Sequence, residues 1–421
     1  MKTKMKMKKL LIASLLILGA TTLFTSCSKD KVTDPVTPIT PAPEENTIVI
    51  TGNISSSTTW ANNKTYILNG RVIVTSGTLT IQAGTVIKGR AGTNSNASSL
   101  IIARGAKIDA QGTPSSPIIF TSEADVIISG QIESPNLDAS QTGLWGGVAI
   151  LGYAPVSDLS GGAIGQLEGI PASVTEGAYG GSDVADNSGV FKYVSIRHGG
   201  TVYQPGKELN GLTLCGVGTG TEINHIEIIG NSDDGIEFFG GSVNLSSVII
   251  YKGSDDGLDI DQSYSGTISN FIIFQGVNSD KAFEIDGPEN AINPTGTFTI
   301  DSGYVVGDAT NPFYAHFKSS AQGTMKNVYF TDFKIPAATS EGLWIATGST
   351  QTNYDNNNLV ITSNIFNISS LTIADITEGT TNDVKMTSNN TVGTSSNGVF
   401  NASVFTGWSL ASSKGWLLGL N

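Results

Sequence analysis

Carboxylates recur in this chain at a spacing that can do chemistry. Asp233-Asp234-Gly235-Ile236-Glu237 returns as Asp255-Asp256-Gly257-Leu258-Asp259, and again, altered, as Asp280-Lys281-Ala282-Phe283-Glu284. Carboxylate oxygens are the ligands a hard cation such as Ca2+ prefers. They also accept hydrogen bonds from sugar hydroxyls, and in pairs they hydrolyse glycosidic bonds. Asp233, Asp234, Asp255, Asp256, Asp261 and Asp286 are therefore candidate metal ligands. Glu237, Asp259 and Glu284 are candidates for ligand binding and, with His316, for catalysis. An Asp-Asp-Gly run at the start of a strand is equally a turn signal.

The elements that position these residues follow from the period. A repeat of roughly 20–30 residues with short apolar alternations is the mark of a solenoid. In a strand, alternate side chains share a face. Leu212/Leu214, Ile236/Phe238, Leu258/Ile260 and Phe283/Ile285 then point inward, and Thr213, Glu237, Asp259 and Glu284 point outward. The same alternation puts Phe313, Ala315, Phe317, Leu343 and Ile345 inside and Tyr314, His316, Lys318 and Trp344 outside. Successive coils stack about 4.8 Å apart. One outward column should therefore read Thr213, Glu237, Asp259, Glu284, His316, Trp344, with Asp261, Asp286 and Lys318 beside it. Stacked like charges repel unless a cation or proton intervenes. Trp344 at the column's end would offer a face for a sugar ring. A second strand repeats as Ile226/Ile228, Val248/Ile250 and Phe271/Ile273, with His225, Ser247 and Asn270 aligned at a bend. The expected fold is all-β, a right-handed parallel β-helix with no amphipathic helix in the folded body; its 50 glycines suit a chain that turns often.

The N-terminus reads as an address. Five lysines precede an apolar run from Leu10 to Phe24, too short for a convincing membrane span and ending in Phe24-Thr25-Ser26-Cys27. This junction resembles a bacterial lipobox, in which Cys27 becomes the lipidated first residue. Residues 1–26 are then a lipoprotein signal peptide and 27–46 a Pro-rich tether. Residues 47–421 form one β-helix domain: first coils over 47–124, a loop-rich excursion over 125–189, clear repeats over 190–376 and a C-terminal cap over 377–421. The implied place is the outer membrane, with the body on the cell surface. Cys215 is left without a disulfide partner and reads as a small core residue. Without the leader lysines, 18 basic side chains face 36 acidic ones, a net charge of −18. No basic stripe exists to neutralise phosphate, so nucleic acid is excluded as a partner. Divalent cations and glycans fit better.

Gly84-Thr85-Val86-Ile87-Lys88-Gly89, Leu144-Trp145-Gly146-Gly147-Val148, Tyr193-Val194-Ser195-Ile196-Arg197-His198-Gly199-Gly200 and Asp233-Asp234-Gly235-Ile236-Glu237 resemble a set of Bacteroidota surface lipoproteins. The resemblance implies a right-handed parallel β-helix of the pectin-lyase-like type and no particular activity. Polygalacturonase-like enzymes of this type carry Asn-Thr-Asp, Asp-Asp, Gly-His-Gly and Arg-x-Lys. Asn231-Ser232-Asp233 and Asp255-Asp256 echo the first two; the others are absent, and no Arg follows Arg197. Pectate lyases pair Ca2+-holding carboxylates with a basic Arg or Lys; only Lys281 and Lys318 lie near the carboxylates here. The expected function is a lipid-anchored surface β-helix that binds a glycan, with Ca2+ as a candidate cofactor. A polysaccharide lyase or hydrolase using the acidic column, and an adhesion stalk, are the alternatives. Whether the chain is an enzyme stays open, with the missing motifs favouring binding.

Overall fold

A computed structural model describes residues 46–158, 161–337, 341–378 and 383–420. Cys27, the proposed lipidation site, lies outside them, as does most of the tether. Most of the described strands form two long parallel sheets, one of 16 strands and one of 10, which wrap a shared apolar core, and four more form two short antiparallel pairs. Each coil adds a strand to both sheets before the chain climbs to the next. Among the described residues no helix is long and apolar enough to cross a membrane.

The inward ladders account for the core. In the ten-stranded sheet Leu212, Ile236, Leu258, Phe283, Ala315 and Leu343 stack in register, beside Leu214, Phe238, Ile260, Ile285, Phe317 and Ile345. All twelve are buried. One strand departs from strict alternation. A register shift between Phe313 and Ala315 lets two consecutive residues leave the pleat. Tyr314, expected outside, turns inward and stacks on Phe333 at 3.8 Å, while Phe313 is half-buried.

The sixteen-stranded sheet changes character along the axis. In the first coils two separate strands, Lys107–Gln111 and Ile118–Ser122, both pair with the long strand Gly189–Arg197. From there each coil uses one long strand that bends in the middle, until Leu359–Thr362 and Ile365–Phe366 part again on either side of Ser363. The bend falls on Tyr193, His225, Ser247, Asn270, Ser302, Asn327 and Ser363, which all have left-handed backbones, φ running from 50° at Asn270 to 64° at Ser302. Asn, Ser and His tolerate that region better than β-branched residues. His225 is such a bend residue, stacked between Tyr193 and the edge of Trp408. Within this sheet Gly303 makes room for a neighbour: a Cβ there would lie 2.0 Å from the Phe271 ring.

The stretch read as one excursion over 125–189 is instead two, because Val148–Leu151 returns to the coil path as a strand of the ten-stranded sheet. Before it Ile127 packs on Val86 and Ile119 of the sixteen-stranded sheet, and after it the chain folds against the outer face of the ten-stranded sheet. Leu167, Ile170 and Tyr179 pack on Ile73, Ile101, Ala149 and Cys215. At the other end Ile373, Ile376 and Met386 join the core and close it. The chain then turns back. Phe405, Trp408 and Ala411 lie along the outside of the sixteen-stranded sheet, on Ile249, Ile272, Tyr304 and Tyr329.

Candidate functional site

One outward column of the ten-stranded sheet carries the chemistry. Thr213, Glu237, Asp259, Glu284, His316 and Trp344 occupy equivalent positions on successive strands, each paired with the next. The order follows from strands of period two pairing in register. Asp286 and Lys318 follow two residues along from Glu284 and His316, Asp286 N–H donating to the Ile260 carbonyl and Lys318 N–H to that of Ile285.

The acidic pairs at the strand entrances do two things at once. Asp234 Oδ1 accepts the backbone N–H of Asp256 at 3.0 Å, and Asp256 Oδ1 accepts that of Lys281 at 2.6 Å. The inner Asp of each pair thus fastens the next coil with one oxygen, which is the turn-making role. Asn210, Asp234, Asp256 and Lys281 hold the same repeat position. Asn210 Nδ2 donates to Glu237 Oε2. Four groups of carboxylates bring oxygens within 4.8 Å of one another: Asp234/Glu237/Asp259, Asp256/Asp259/Glu284, and outside them Asp233/Asp234/Asp255 and Asp255/Asp256/Asp280. Oxygens so grouped suit a hard divalent cation. Asp261 and Asp286 belong to none of these groups.

Burial and repulsion set the protonation. Asp234, Glu237 and Asp259 are buried, and their carboxyls are pushed well above the usual range by desolvation first and by each other and their acidic neighbours second. Asp233 is pushed up to about 7 by burial and by Asp255. Burial likewise raises Asp255, Asp256, Asp261 and Asp286. Glu284 is the exception. Burial opposes its ionisation, yet His316, Lys281 and Lys318 hold it down at about 2. Lys281 Nζ lies 2.5 Å from Asp280, 3.3 Å from Glu284 and 3.8 Å from Asp256. Lys318 Nζ lies 3.3 Å from Glu284 and 3.5 Å from Asp286. His316 Nδ1 is 3.5 Å from Glu284, and its ring stacks on Trp344 at 3.9 Å. Two buried polar atoms in the column have no hydrogen-bond partner, Asp259 Oδ1 and His316 Nε2.

The excursion and an antiparallel hairpin of Val202–Gln204 and Lys207–Glu208 wall the upper end. Glu237 and Asp261 face a cleft of about 490 Å³ bounded by Glu168, Tyr179, Lys207 and Gln262. Tyr179 hydroxyl donates to Gln262 Oε1 at 3.1 Å, and an ion pair joins Lys207 to Glu168. A concave, polar-lined site on a rigid sheet is where ligands bind.

A family model for a pectate-lyase like beta helix domain matches residues 52–411. The chain belongs to that family. Searches of the curated proteins and of the solved structures returned no match. As a pectate-lyase-like domain it is a right-handed parallel β-helix, in keeping with the handedness of parallel crossovers.

Other residues singled out in the sequence prove structural. Trp145 is buried, stacks with Phe120 and donates from Nε1 to the Arg197 carbonyl at 2.7 Å. Arg197 Nη1 donates to the Ile132 carbonyl, and His198 Nδ1 meets that of Gln141, both at 2.7 Å; the two side chains hold the excursion. Cys215 is buried beneath it, where desolvation pushes the thiol up. Sequence reasoning missed Asn210, although Asn210-Gly211-Leu212 aligns with Asp234-Gly235-Ile236. It also missed Glu227, fully buried on the opposite sheet, which accepts the backbone N–H groups of Leu410 and Ala411. No local signal marks that contact across the chain.

Proposed function

We propose that this β-helix binds a glycan along the acidic column, with a divalent cation of the Ca2+ class held among the carboxylates. The observation that carries the reading is Asp259 Oδ1, buried without a hydrogen-bond partner between Glu237 and Glu284. A buried acceptor left unmade costs about 1–3 kcal/mol, which a bound hydroxyl or cation recovers. Lys281 and Lys318 on Glu284 add positive charge that suits an acidic sugar. The His316–Trp344 stack places aromatic surface where sugar rings lie. A lipid anchor at Cys27 would hold the body at the outer face of the cell.

One observation favours catalysis as the second reading. Asp259 and Glu284 are adjacent, yet their acidities are driven apart, the first up by burial and the second down at about 2. A protonated acid beside an ionised carboxylate is the arrangement of a glycosidase. Adjacent coils space such groups about 4.8 Å apart, close to the roughly 5–5.5 Å of retaining enzymes. Glycan-array binding with and without Ca2+, run beside a reducing-end release assay, separates the two. Retention without release supports binding, and release abolished by Asp259→Asn supports catalysis. Neither retention nor release of any glycan overturns both.

A further inference from the structure

The corner that leads from each long strand toward the ten-stranded sheet holds one repeated position. His198, Gly230 and Lys252 occupy it on successive coils, since Arg197 pairs with Ile229 and Ile229 with Tyr251. All three have left-handed backbones, with φ of 62°, 60° and 57°. At the first two the chain covers the corner itself. His198 Nδ1 meets the Gln141 carbonyl, and a Cβ on Gly230 would lie 2.7 Å from that of Ala139. At the third the cover stops. Lys252 is exposed, in a backbone conformation that glycine adopts without strain. Among the described residues no carboxylate comes within ion-pair distance of its ammonium.

Beside Lys252 lies a cavity of about 410 Å³, separate from the cleft over Glu237 and Asp261. Segments remote in sequence bound it: Asp138 before the strand Val148–Leu151, Tyr251 and Lys252 at the corner, Asp308, and Trp416 of the C-terminal return. Trp416 stacks face to face on Tyr251 at 3.6 Å, and Lys252 Nζ is 5.1 Å from the centre of the Tyr251 ring. The return is tied down by the Glu227 bonds to Leu410 and Ala411 and by Lys414 on Glu133, so the fold places the indole. Ser140 N–H donates to Asp138 Oδ1, and Thr310 N–H and hydroxyl donate to Asp308 Oδ1. These bonds hold both carboxyls below the usual range, so both stay ionised at neutral pH.

We propose that this cavity binds one neutral hexopyranose ring, at a second sugar site that does not depend on the acidic column. The apolar face of such a ring packs on an aromatic surface. Its adjacent hydroxyls need both acceptors and donors. Asp138 and Asp308 accept, and the Lys252 ammonium and the amide of Asn278, also on the cavity wall, donate. One ammonium against two carboxylates leaves the local charge negative, which disfavours a uronate. Lys281 and Lys318 give the column the opposite preference. The volume lies at the small end of the roughly 300–1,000 Å³ of ligand pockets, which suits a ring rather than a long chain.

Saturation-transfer NMR of the full chain with the methyl glycosides of glucose, mannose and galactose, and with sodium glucuronate, tests this. At least one neutral hexoside should show transfer. Trp416→Ala removes the stacking face and should weaken its binding by about tenfold or more. That variant also loosens the return, so Lys252→Gly is the second. Glycine fits the left-handed corner, so the unfolding transition should be no lower than the parent's while hexoside binding falls by a similar factor. A lowered transition would make Lys252 a structural residue and overturn its role. Unchanged binding in either variant overturns the site, as does the absence of transfer from every neutral hexoside. Glucuronate transfer that exceeds theirs and falls in Trp416→Ala overturns the neutral ring.

Discussion

The outward column of the ten-stranded sheet has two halves built on one backbone. Ile73, Ile101 and Ala149 pair in register with one another and with Thr213, after which come Glu237, Asp259, Glu284, His316 and Trp344. The strands, spacing and pleat are alike. The first half is apolar and lies under Leu167, Ile170 and Tyr179 of the excursion. The second half is acidic, and the wall thins to a cleft over Glu237 and Asp261. A β-helix gives every coil an equivalent outward position, so the side chain placed there reports what covers it. Apolar residues signal a wall made by the chain itself. Carboxylates kept at some cost in repulsion signal a partner that the chain does not supply.

The comparison breaks most severely if a carboxylate is moved into the covered half. Ile101→Asp buries an unpaired acid beneath the excursion and should cost more than about 4 kcal/mol, read from urea unfolding. A loss below about 1 kcal/mol would mean the excursion lifts easily and the two halves differ little. Next in size is the core beneath the acidic half. Phe238 is fully buried between coils, and Phe238→Ala should cost roughly 3–5 kcal/mol; a near-neutral result would show that the carboxylates sit on a loosely packed floor.

The third test uses pH on cation-free protein. Asp234, Glu237 and Asp259 have folded acidities above their unfolded ones, so the folded state binds more protons. By linkage their contribution falls as pH rises above the ordinary carboxylate range, and it recovers on acidification. Glu284 works the other way: held at about 2, its contribution is lost only as pH falls through about 4 toward 2. The melting temperature should therefore rise between pH 7 and pH 5. Ca2+ at pH 7 should give a similar rise, absent in Asp259→Asn. A melting temperature flat from pH 7 to 5 would say the column is already neutralised. The smallest effect on stability is expected at the exposed Lys414–Glu133 pair, which belongs to neither half. Lys414→Ala should change stability by no more than about 1 kcal/mol; a larger loss would make the C-terminal return a principal support of the fold.

Much of the acidic half was legible because its causes are local. Alternation in Ile236-Glu237-Phe238 and Leu258-Asp259-Ile260 settles which side chains face out. The Asp-Gly entrance repeated before each strand settles the register between coils. The bend at His225, Ser247 and Asn270 was readable for the same reason, a repeated position filled by residues that accept a left-handed backbone. The inward turn of Tyr314 was not, because a bulge depends on how the chain before Phe313 meets the neighbouring coil. The cover over Ile101 was not either. Nothing periodic around Leu167, Ile170 and Tyr179 says which face of the helix they will lie on.

The sequence by itself therefore determined the helix, its inward ladders and the order Thr213, Glu237, Asp259, Glu284, His316, Trp344, since all of these follow from period and pairing between neighbouring coils. The tertiary structure alone decided which part of that column is covered. It also decided that Lys281 reaches Asp256 and Glu284, and that the C-terminal segment returns to give Leu410 and Ala411 N–H groups to Glu227. Those contacts depend on where long irregular segments and flexible side chains come to rest, and a repeat constrains only what repeats.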